Sequence, residues 1–221
     1  MPESNNFFDL TQPQMNIWGG QVLNPDKPLY NMVMAFHFHG AIEVDRFRNS
    51  FQQLTDQNDV LRLAINIENG LPRQYFHAKV ADKLEYIDLS NDDSSIKLFE
   101  QYIEKDKGRI FDSDELLYHT VLFKFSEDHF IWYINHHHLM TDGVTILLLY
   151  DRLHEIYVSE ASSKDYKMFT YQKVSEQLSH NLPKETSGYW EQLKDSVTPP
   201  PALYGVSSSN SSGLPRSPSS G

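Results

Sequence analysis

The stretch from Leu116 to Val158 limits the possible folds of this chain most strongly. Two segments with strand composition, Leu116–Phe125 and His129–His136, are separated by a short turn. A strongly apolar helical segment, Val144–Val158, follows the second of them almost directly. Adjacent strands that lead into an apolar helix indicate a sheet that packs against helices.

The segments before this stretch also alternate between strand and helix periodicity. Apolar side chains alternate along Asn31–His39, which is the period of a half-buried strand. Asn69 and Gly70 form a hairpin-turn signal between the predicted strands Val60–Ile67 and Gln74–Phe76. The mixture of hairpins and helices predicts an α/β sandwich rather than a purely parallel, doubly wound sheet.

Helical spacing predicts helices on both sides of these strands. The predicted helices are a short one capped by Thr11 and ending near Leu23, one containing Val44, Phe47, Phe51 and Leu54, one over Asp92–Lys107, and two more at Tyr171–Ser179 and Glu185–Lys194. The Ser-rich sequence Ser207–Gly221 cannot bury enough apolar surface to offset its ordering entropy. We therefore expect a disordered N-terminus at residues 1–6, one globular lobe at residues 7–196, and a linker or disordered tail at residues 197–221.

The composition excludes several classes of function. The chain has no cysteine, which excludes disulfides, thiolate zinc sites and cysteine nucleophiles. Its formal net charge of -11 opposes binding to phosphate backbones, so we expect no nucleic-acid partner. No segment approaches the roughly 18–20 apolar residues of a membrane helix, and the N-terminus has no secretory signal pattern. These observations favour a cytoplasmic protein that does not enter membranes.

Three consecutive histidines lie at the end of the second strand. If the strand continued through them, His136 and His138 would share one face and His137 would take the other. Imidazole titrates near neutral pH, so a histidine at a strand end can accept a proton from an amine or hydroxyl nucleophile. Adjacent strand histidines diverge instead of converging on one ion, and no helical histidine pair is nearby, so we predict no metal site.

The sequence His137-His138-Leu139-Met140-Thr141-Asp142-Gly143 resembles the His-His-x-x-x-Asp-Gly signature of the condensation domains of nonribosomal peptide synthetases. Three further segments resemble motifs of the same family, in the expected order: Leu10–Trp18, with Gln14 and Trp18 in register, Asp59–Arg62, and Ser187–Trp190. The sequence departs from the family at Gln57-Asn58-Asp59, where Arg-His-Glu is usual. The resemblance covers residues 7–195 and corresponds to the amino-terminal half of such a domain.

The resemblance implies a chloramphenicol-acetyltransferase-like sandwich lobe, one of two lobes with a tunnel between them. It gives His138 the role of the catalytic histidine, as a general base or as a group that positions the acceptor amine. His137 and Gly143 are supporting motif residues, and Asp142 is expected to pair with Arg62. The substrates would be thioesters and amines on the phosphopantetheine arms of carrier proteins, with no cofactor bound directly by this chain.

The function implied by the resemblance is amide-bond formation between carrier-bound intermediates, as an acyltransferase-type reaction. The partners would be peptidyl or aminoacyl carrier proteins, a second condensation lobe, and neighbouring synthetase domains. Without that second lobe, which carries an Asp-Phe-Gly-Trp-Gly segment in the family, we expect the chain to be inactive. The alternatives are an inactive carrier-binding or scaffolding module, and a lobe of a related coenzyme A-dependent acyltransferase or epimerization domain.

Overall fold

The computed structural model of the protein describes residues 7–159. Its elements, in chain order, are β1 (Phe8–Asp9), α1 (Gln12–Val22), β2 (Asn31–His39), α2 (Val44–Gln57), a 3-10 helix (Asp59–Arg62), β3 (Leu63–Glu68), β4 (Leu71–Phe76), β5 (Leu84–Asp88), α3 (Ser95–Asp106), β6 (Tyr118–Ser126), β7 (His129–His137) and α4 (Gly143–Val158). The predicted disordered ends and the two helical segments after residue 170 lie outside the described residues. Among the described residues, none of the helices α1 to α4 is long and apolar enough to span a bilayer.

The strands form two sheets. The larger has the order β2-β7-β6-β5, in which β5 and β6 are parallel and the other neighbours are antiparallel. The smaller has the order β1-β4-β3 and is antiparallel. Both parallel and antiparallel pairs occur and helices pack on the larger sheet, so the predicted α/β class is confirmed.

The larger sheet is covered on both faces. On one face α2 and α4 pack against β7, and Phe47, Leu54 and Trp132 are almost completely buried there. On the other face α3 packs through Phe99 against Phe123 of β6. Complete burial of side chains of this size stabilises the fold by about 1.5–3 kcal/mol each, so this sheet is the rigid support of the histidine segment.

Local signals fixed several element boundaries correctly. Thr11 caps α1: its hydroxyl accepts from the backbone of Gln14, whose side chain accepts in return from the backbone of Thr11, which is a capping box. Asn69 and Gly70 both have positive φ angles, 54° and 79°, as the predicted hairpin turn requires.

Other boundaries differ from the predictions. The predicted strand from Val60 begins only at Leu63, because Asp59–Arg62 forms a 3-10 helix. The helix predicted from Asp92 begins at Ser95, because the carboxylate of Asp92 accepts from the backbone of Ser94 and forms a turn instead. The short strands β1 and β5 were not predicted.

Candidate functional site

The candidate site lies where β7 ends and α4 begins. β7 ends at His137, residues 138–140 form a turn, and α4 starts at Gly143. The backbone N–H of His138 donates to the carbonyl of Tyr30 over 2.8 Å as the chain leaves the sheet. The expectation that His136 and His138 share a strand face is therefore wrong: His136 is fully buried and His138 is exposed.

The imidazole of His138 is oriented through its Nδ1 atom. This atom lies 2.8 Å from the carbonyl oxygen of Thr141. A carbonyl oxygen only accepts hydrogen bonds, so Nδ1 carries the hydrogen and donates it. In the neutral ring Nε2 then has the free lone pair, and it can accept a proton from an amine or hydroxyl group.

His137 is a structural residue. Its side chain is buried, and burial, followed by the neighbouring charge of His138, lowers its pKa to about 4. Its Nδ1 accepts from the backbone N–H of Leu139 over 3.1 Å, while its Nε2 lies 3.4 Å from Oε1 of Gln21. One ring nitrogen accepts and the other faces an acceptor, which is the pattern of a neutral histidine that joins the turn to α1.

His136 is the most completely buried of the three histidines, with none of its surface exposed. Within the described structure neither of its ring nitrogens has a hydrogen-bond partner. Burial is the largest cause that lowers its pKa, to about 4, and the charges of His138 and His137 add to the effect. Residues 7–159 contain no group of three or more side chains arranged to hold a metal ion.

Asp142 and Gly143 form the start of α4. Asp142 is the N-cap: its Oδ1 accepts from both the backbone N–H and the hydroxyl of Thr145, each over 2.7 Å. These hydrogen bonds lower the pKa of Asp142. A Cβ atom added to Gly143 would meet no other atom within 4 Å, so the surface beside this residue is open.

Arg62 does not pair with Asp142, contrary to the prediction. Its guanidinium donates to the carbonyls of Thr55 and Asp56, over 2.6 and 2.8 Å, and to that of His77 over 3.0 Å. A cation that donates to the last-turn carbonyls of α2 satisfies groups that the helix leaves unpaired. Both charged groups therefore have local backbone partners, and Arg62 contacts the end of α2 instead of the segment between β7 and α4.

The role of Asp142 as a cap predicts a moderate stability effect. Asp142→Ala should lower the free energy of unfolding by about 1 kcal/mol, because the backbone N–H of Thr145 loses its acceptor. Asp142→Ser should retain most of the stability, since serine is also a good N-cap. Urea denaturation measures both, with Asp151→Ala on the same helix as the exposed control. A loss near 4 kcal/mol for Asp142→Ala would instead indicate a buried ion pair.

Sequence reasoning missed two groups that orient His138, the carbonyls of Tyr30 and Thr141. Every residue has a backbone carbonyl, so no residue type in the sequence marks these positions. The motif pattern located His137, His138, Asp142 and Gly143 in one short segment, and the structure places that segment at the junction of β7 and α4. Their individual roles depend on burial and partners that only the fold supplies.

Comparison with known proteins places this site in a family context. A family model described as the condensation domain matches residues 4–212. Bacitracin synthase 3 of Bacillus licheniformis is 27% identical over 157 residues, which are 70% of this chain and 2% of that protein. Surfactin synthase subunit 1 of Bacillus subtilis (strain 168) is 26% identical over 167 residues, which are 73% of this chain and 5% of that protein. The chain thus spans a small fraction of the length of these relatives.

Solved structures show the same fold. The starter condensation domain of rhizomide synthetase, in complex with C8-CoA and Leu-SNAC, superposes with a TM-score of 0.78 at 22% identity, covering 86% of this chain and 45% of that one. The first condensation domain of the CDA synthetase gives a TM-score of 0.64 at 20% identity, and the match covers 70% of this chain and 40% of that one. The fold is therefore that of slightly less than half of such a domain, in agreement with the predicted single lobe.

Proposed function

Because the chain belongs to the condensation domain family, we propose that it is the amino-terminal lobe of a nonribosomal peptide synthetase condensation domain. The reaction is amide-bond formation between a thioester donor and an amine acceptor, both presented on phosphopantetheine arms of carrier proteins. We propose residues 7–196 as the extent of the lobe, working in the cytoplasm with the second condensation lobe and neighbouring synthetase domains.

The single observation that carries this proposal is the state of His138. It is exposed beside an open helix start, its Nδ1 faces the carbonyl of Thr141, and its Nε2 is left with the lone pair. An α-amine that attacks a thioester must lose a proton, and a positioned imidazole nitrogen can accept it. His136 and His137 are buried with lowered pKa values, so His138 is the histidine of this segment that substrates can reach.

The surface of α4 supports the participation of a second lobe. Val144, Leu147 and Leu148 are exposed by 67%, 48% and 63%, and they lie on the helix that begins beside His138. A cluster of exposed aliphatic side chains is typical of a surface that another protein segment covers. The solved condensation domains are about twice as long as this chain, and we propose that a second lobe covers this surface.

The proposal predicts that catalysis requires both lobes and His138. The chain alone should form little or no amide, because one lobe provides the histidine without enclosing the donor and acceptor beside it. Addition of the second lobe, in the same polypeptide or as a separate one, should restore turnover. His138→Ala should then reduce the rate about a hundred-fold or more, the usual effect of losing a positioned acid–base group.

The measurement is amide formation from carrier-bound donor and acceptor, followed for the single lobe, the two-lobed protein and each variant. His137→Ala is the matched control at the neighbouring residue, the last of β7, and it should act mainly through stability, since its ring nitrogens contact Leu139 and Gln21. Robust turnover by the single lobe, or an unchanged rate in the two-lobed His138→Ala protein, would contradict the assignment.

A second candidate is a carrier-binding or scaffolding module without catalysis. The exposed aliphatic side chains of α4, Val144, Leu147 and Leu148, favour it, because they could also contact a carrier protein. The same assay distinguishes the two functions when a phosphopantetheine-loaded carrier protein is also titrated against the chain. Saturable binding with no turnover after the second lobe is supplied would favour the module. A lobe of a coenzyme A-dependent acyltransferase and a lobe of an epimerization domain are the remaining proposals, which assays with coenzyme A thioesters and with carrier-bound peptides, respectively, would test.

A further inference from the structure

A buried pair of glutamine side chains connects the start of α1 and the smaller sheet to the histidine turn, which comprises residues 138–142 between β7 and α4. Gln14 on α1 is 4% exposed and Gln74 on β4 is 0% exposed. The Nε2 atom of Gln14 donates to Oε1 of Gln74 over 3.1 Å and to the carbonyl of Leu139 over 3.1 Å. Leu139 directly follows His138, so this network reaches the turn that carries the candidate catalytic histidine.

The orientation of the Gln14 amide is fixed by its surroundings. Its Oε1 accepts from the backbone N–H of Thr11 over 2.9 Å and from the hydroxyl of Thr11 over 3.0 Å. Both acceptor positions of Oε1 are therefore occupied, and Nε2 must face Gln74 and Leu139. All four hydrogen-bonding positions of this amide have partners, so a flipped orientation would place donors against donors and acceptors against acceptors.

Gln74 supports the network from the opposite side. Its Nε2 donates to the carbonyl of Asp9 over 2.7 Å, and β4 pairs with β1 at that point. The Gln14 amide is thus held against the β1–β4 pair, and its second hydrogen is donated to the Leu139 carbonyl. A carbonyl buried in this way costs free energy if its donor is removed, so the turn would have to rearrange to regain a partner.

The histidine turn holds the carbonyl that faces the His138 ring and thereby determines the tautomer of His138. The hydrogen on Nδ1 is donated to the carbonyl of Thr141, two residues after Leu139. A displacement of this turn would lengthen that hydrogen bond and allow the hydrogen to move to Nε2, and Nε2 could then no longer accept a proton from a substrate. We propose that Gln14 is a positioning residue, which acts through the Leu139 carbonyl to maintain the proton-accepting tautomer of His138. This inference rests on the function proposed for His138.

Three substitutions of glutamine by methionine test the inference. Gln14→Met preserves the length of the side chain but removes all four hydrogen bonds. Gln12→Met makes the identical change on the exposed face of the same helix, where the amide of Gln12 contacts Asn16. Gln74→Met removes one of the two acceptors of the Gln14 amide while leaving the Leu139 contact in place, so its effect should be intermediate.

The first readout is the ¹⁵N NMR spectrum of the histidine side chains of the chain itself, with His138→Gln used to assign the His138 signals. In the unmodified chain, neutral His138 should be protonated on Nδ1. In Gln14→Met the ratio of the two tautomers should change about ten-fold towards the Nε2-protonated form, the effect of one lost hydrogen bond. Gln12→Met should leave the ratio unchanged. Loss of stability in Gln14→Met with an unaltered tautomer ratio would overturn the inference.

The second readout separates this inference from the proposed function. In the two-lobed protein, Gln14→Met should lower kcat with little change in KM for the carrier-bound acceptor, because positioning of the base affects the chemical step. If the two-lobed protein forms no amide at all, the proposed function fails, and the NMR measurement still decides whether Gln14 controls the His138 tautomer. If Gln14→Met is unfolded, the same comparison is made with Gln74→Met, for which an unchanged tautomer ratio counts against the proposal.

Discussion

Lowering the pH from 7 to 4.5 is expected to reduce the free energy of unfolding by about 2–3 kcal/mol for each of two buried histidines. His136 and His137 have pKa values of about 4 in the folded chain, chiefly because burial disfavours the charged ring. In the unfolded chain both return to the ordinary value near 6.5, so the unfolded state binds more protons between these limits. Their contribution is complete above about pH 6.5 and is lost as the pH falls towards 4. The two effects should add incompletely, because the rings are neighbours.

His136→Leu isolates one half of this effect. The variant removes a buried ring whose nitrogens make no hydrogen bonds within the described structure. At pH 7 its free energy of unfolding should therefore be about 1–3 kcal/mol higher than that of the unmodified chain. Its acid sensitivity between pH 6.5 and 4 should fall to roughly half that of the unmodified chain, because only His137 remains. Urea titrations at several pH values measure both quantities, and His154→Leu is the control on an exposed position of α4. A profile parallel to that of the unmodified chain would show that His136 is not the source.

Asp106→Asn is expected to lower the free energy of unfolding by about 2–4 kcal/mol. The carboxylate of Asp106 is buried at the end of α3 and accepts from Arg109 over 2.7 Å and from the hydroxyl of Tyr133 over 2.9 Å. Asn135 also donates to it over 3.1 Å, and the ring of His119 lies 3.1 Å away. An amide in place of the carboxylate would remove the ion pair and direct an NH₂ group at one or more of these donors.

The stabilisation by the Asp106 carboxylate also depends on pH, over a lower range than that of the two histidines. Burial alone would raise the pKa of this carboxyl group, but His119, Arg109 and Tyr133 outweigh burial and bring the pKa well below its usual value. Its stabilisation is therefore complete above the unfolded pKa near 4 and is lost only in stronger acid, below the histidine window. The expected loss is smaller than that for a fully buried pair, because the Arg109 side chain is 42% exposed.

Asp45→Asn is the matched control for Asp106→Asn. The side chain of Asp45 is 87% exposed and lies 3.5 Å from Arg48 on the same helix. Surface pairs of this kind contribute less than about 0.5 kcal/mol, so the variant should unfold like the unmodified chain. Equal losses for Asp45→Asn and Asp106→Asn in urea denaturation would contradict the role given to the Asp106 network.

The elements that the sequence predicted well are those with strong local signals. β7 and α4 agree with the predictions to within one residue, because a long apolar run and an N-cap aspartate act over a few residues. β5 was missed because its five residues alternate weakly and its partner, β6, pairs with it in parallel across the intervening α3. Parallel pairing of this kind depends on the packing of the whole unit.

The same distinction applies to the candidate site. The motif located the turn, but the partner of Arg62 could not be predicted, because an arginine can donate to any carbonyl that the fold brings near it. The burial of His136 and the exposure of His138 also depend on where β7 ends, which is a difference of one residue. His138 departs from the strand alternation because the chain turns after His137, and the run of three histidines does not mark that end in the sequence.

The pairing of β2 with β7 has a consequence for how the protein forms during synthesis. Asn31 lies opposite His137 and His39 lies opposite His129, so the two strands that meet at the candidate site are among the most distant in the chain. At about 5–20 residues per second, β2 leaves the ribosome on the order of five to twenty seconds before its partner strand is complete. Contacts of such high sequence separation make folding slow. The nascent chain therefore carries an unpaired strand rich in Met and Phe through this interval, and the histidine turn is among the last features of residues 7–159 to assemble.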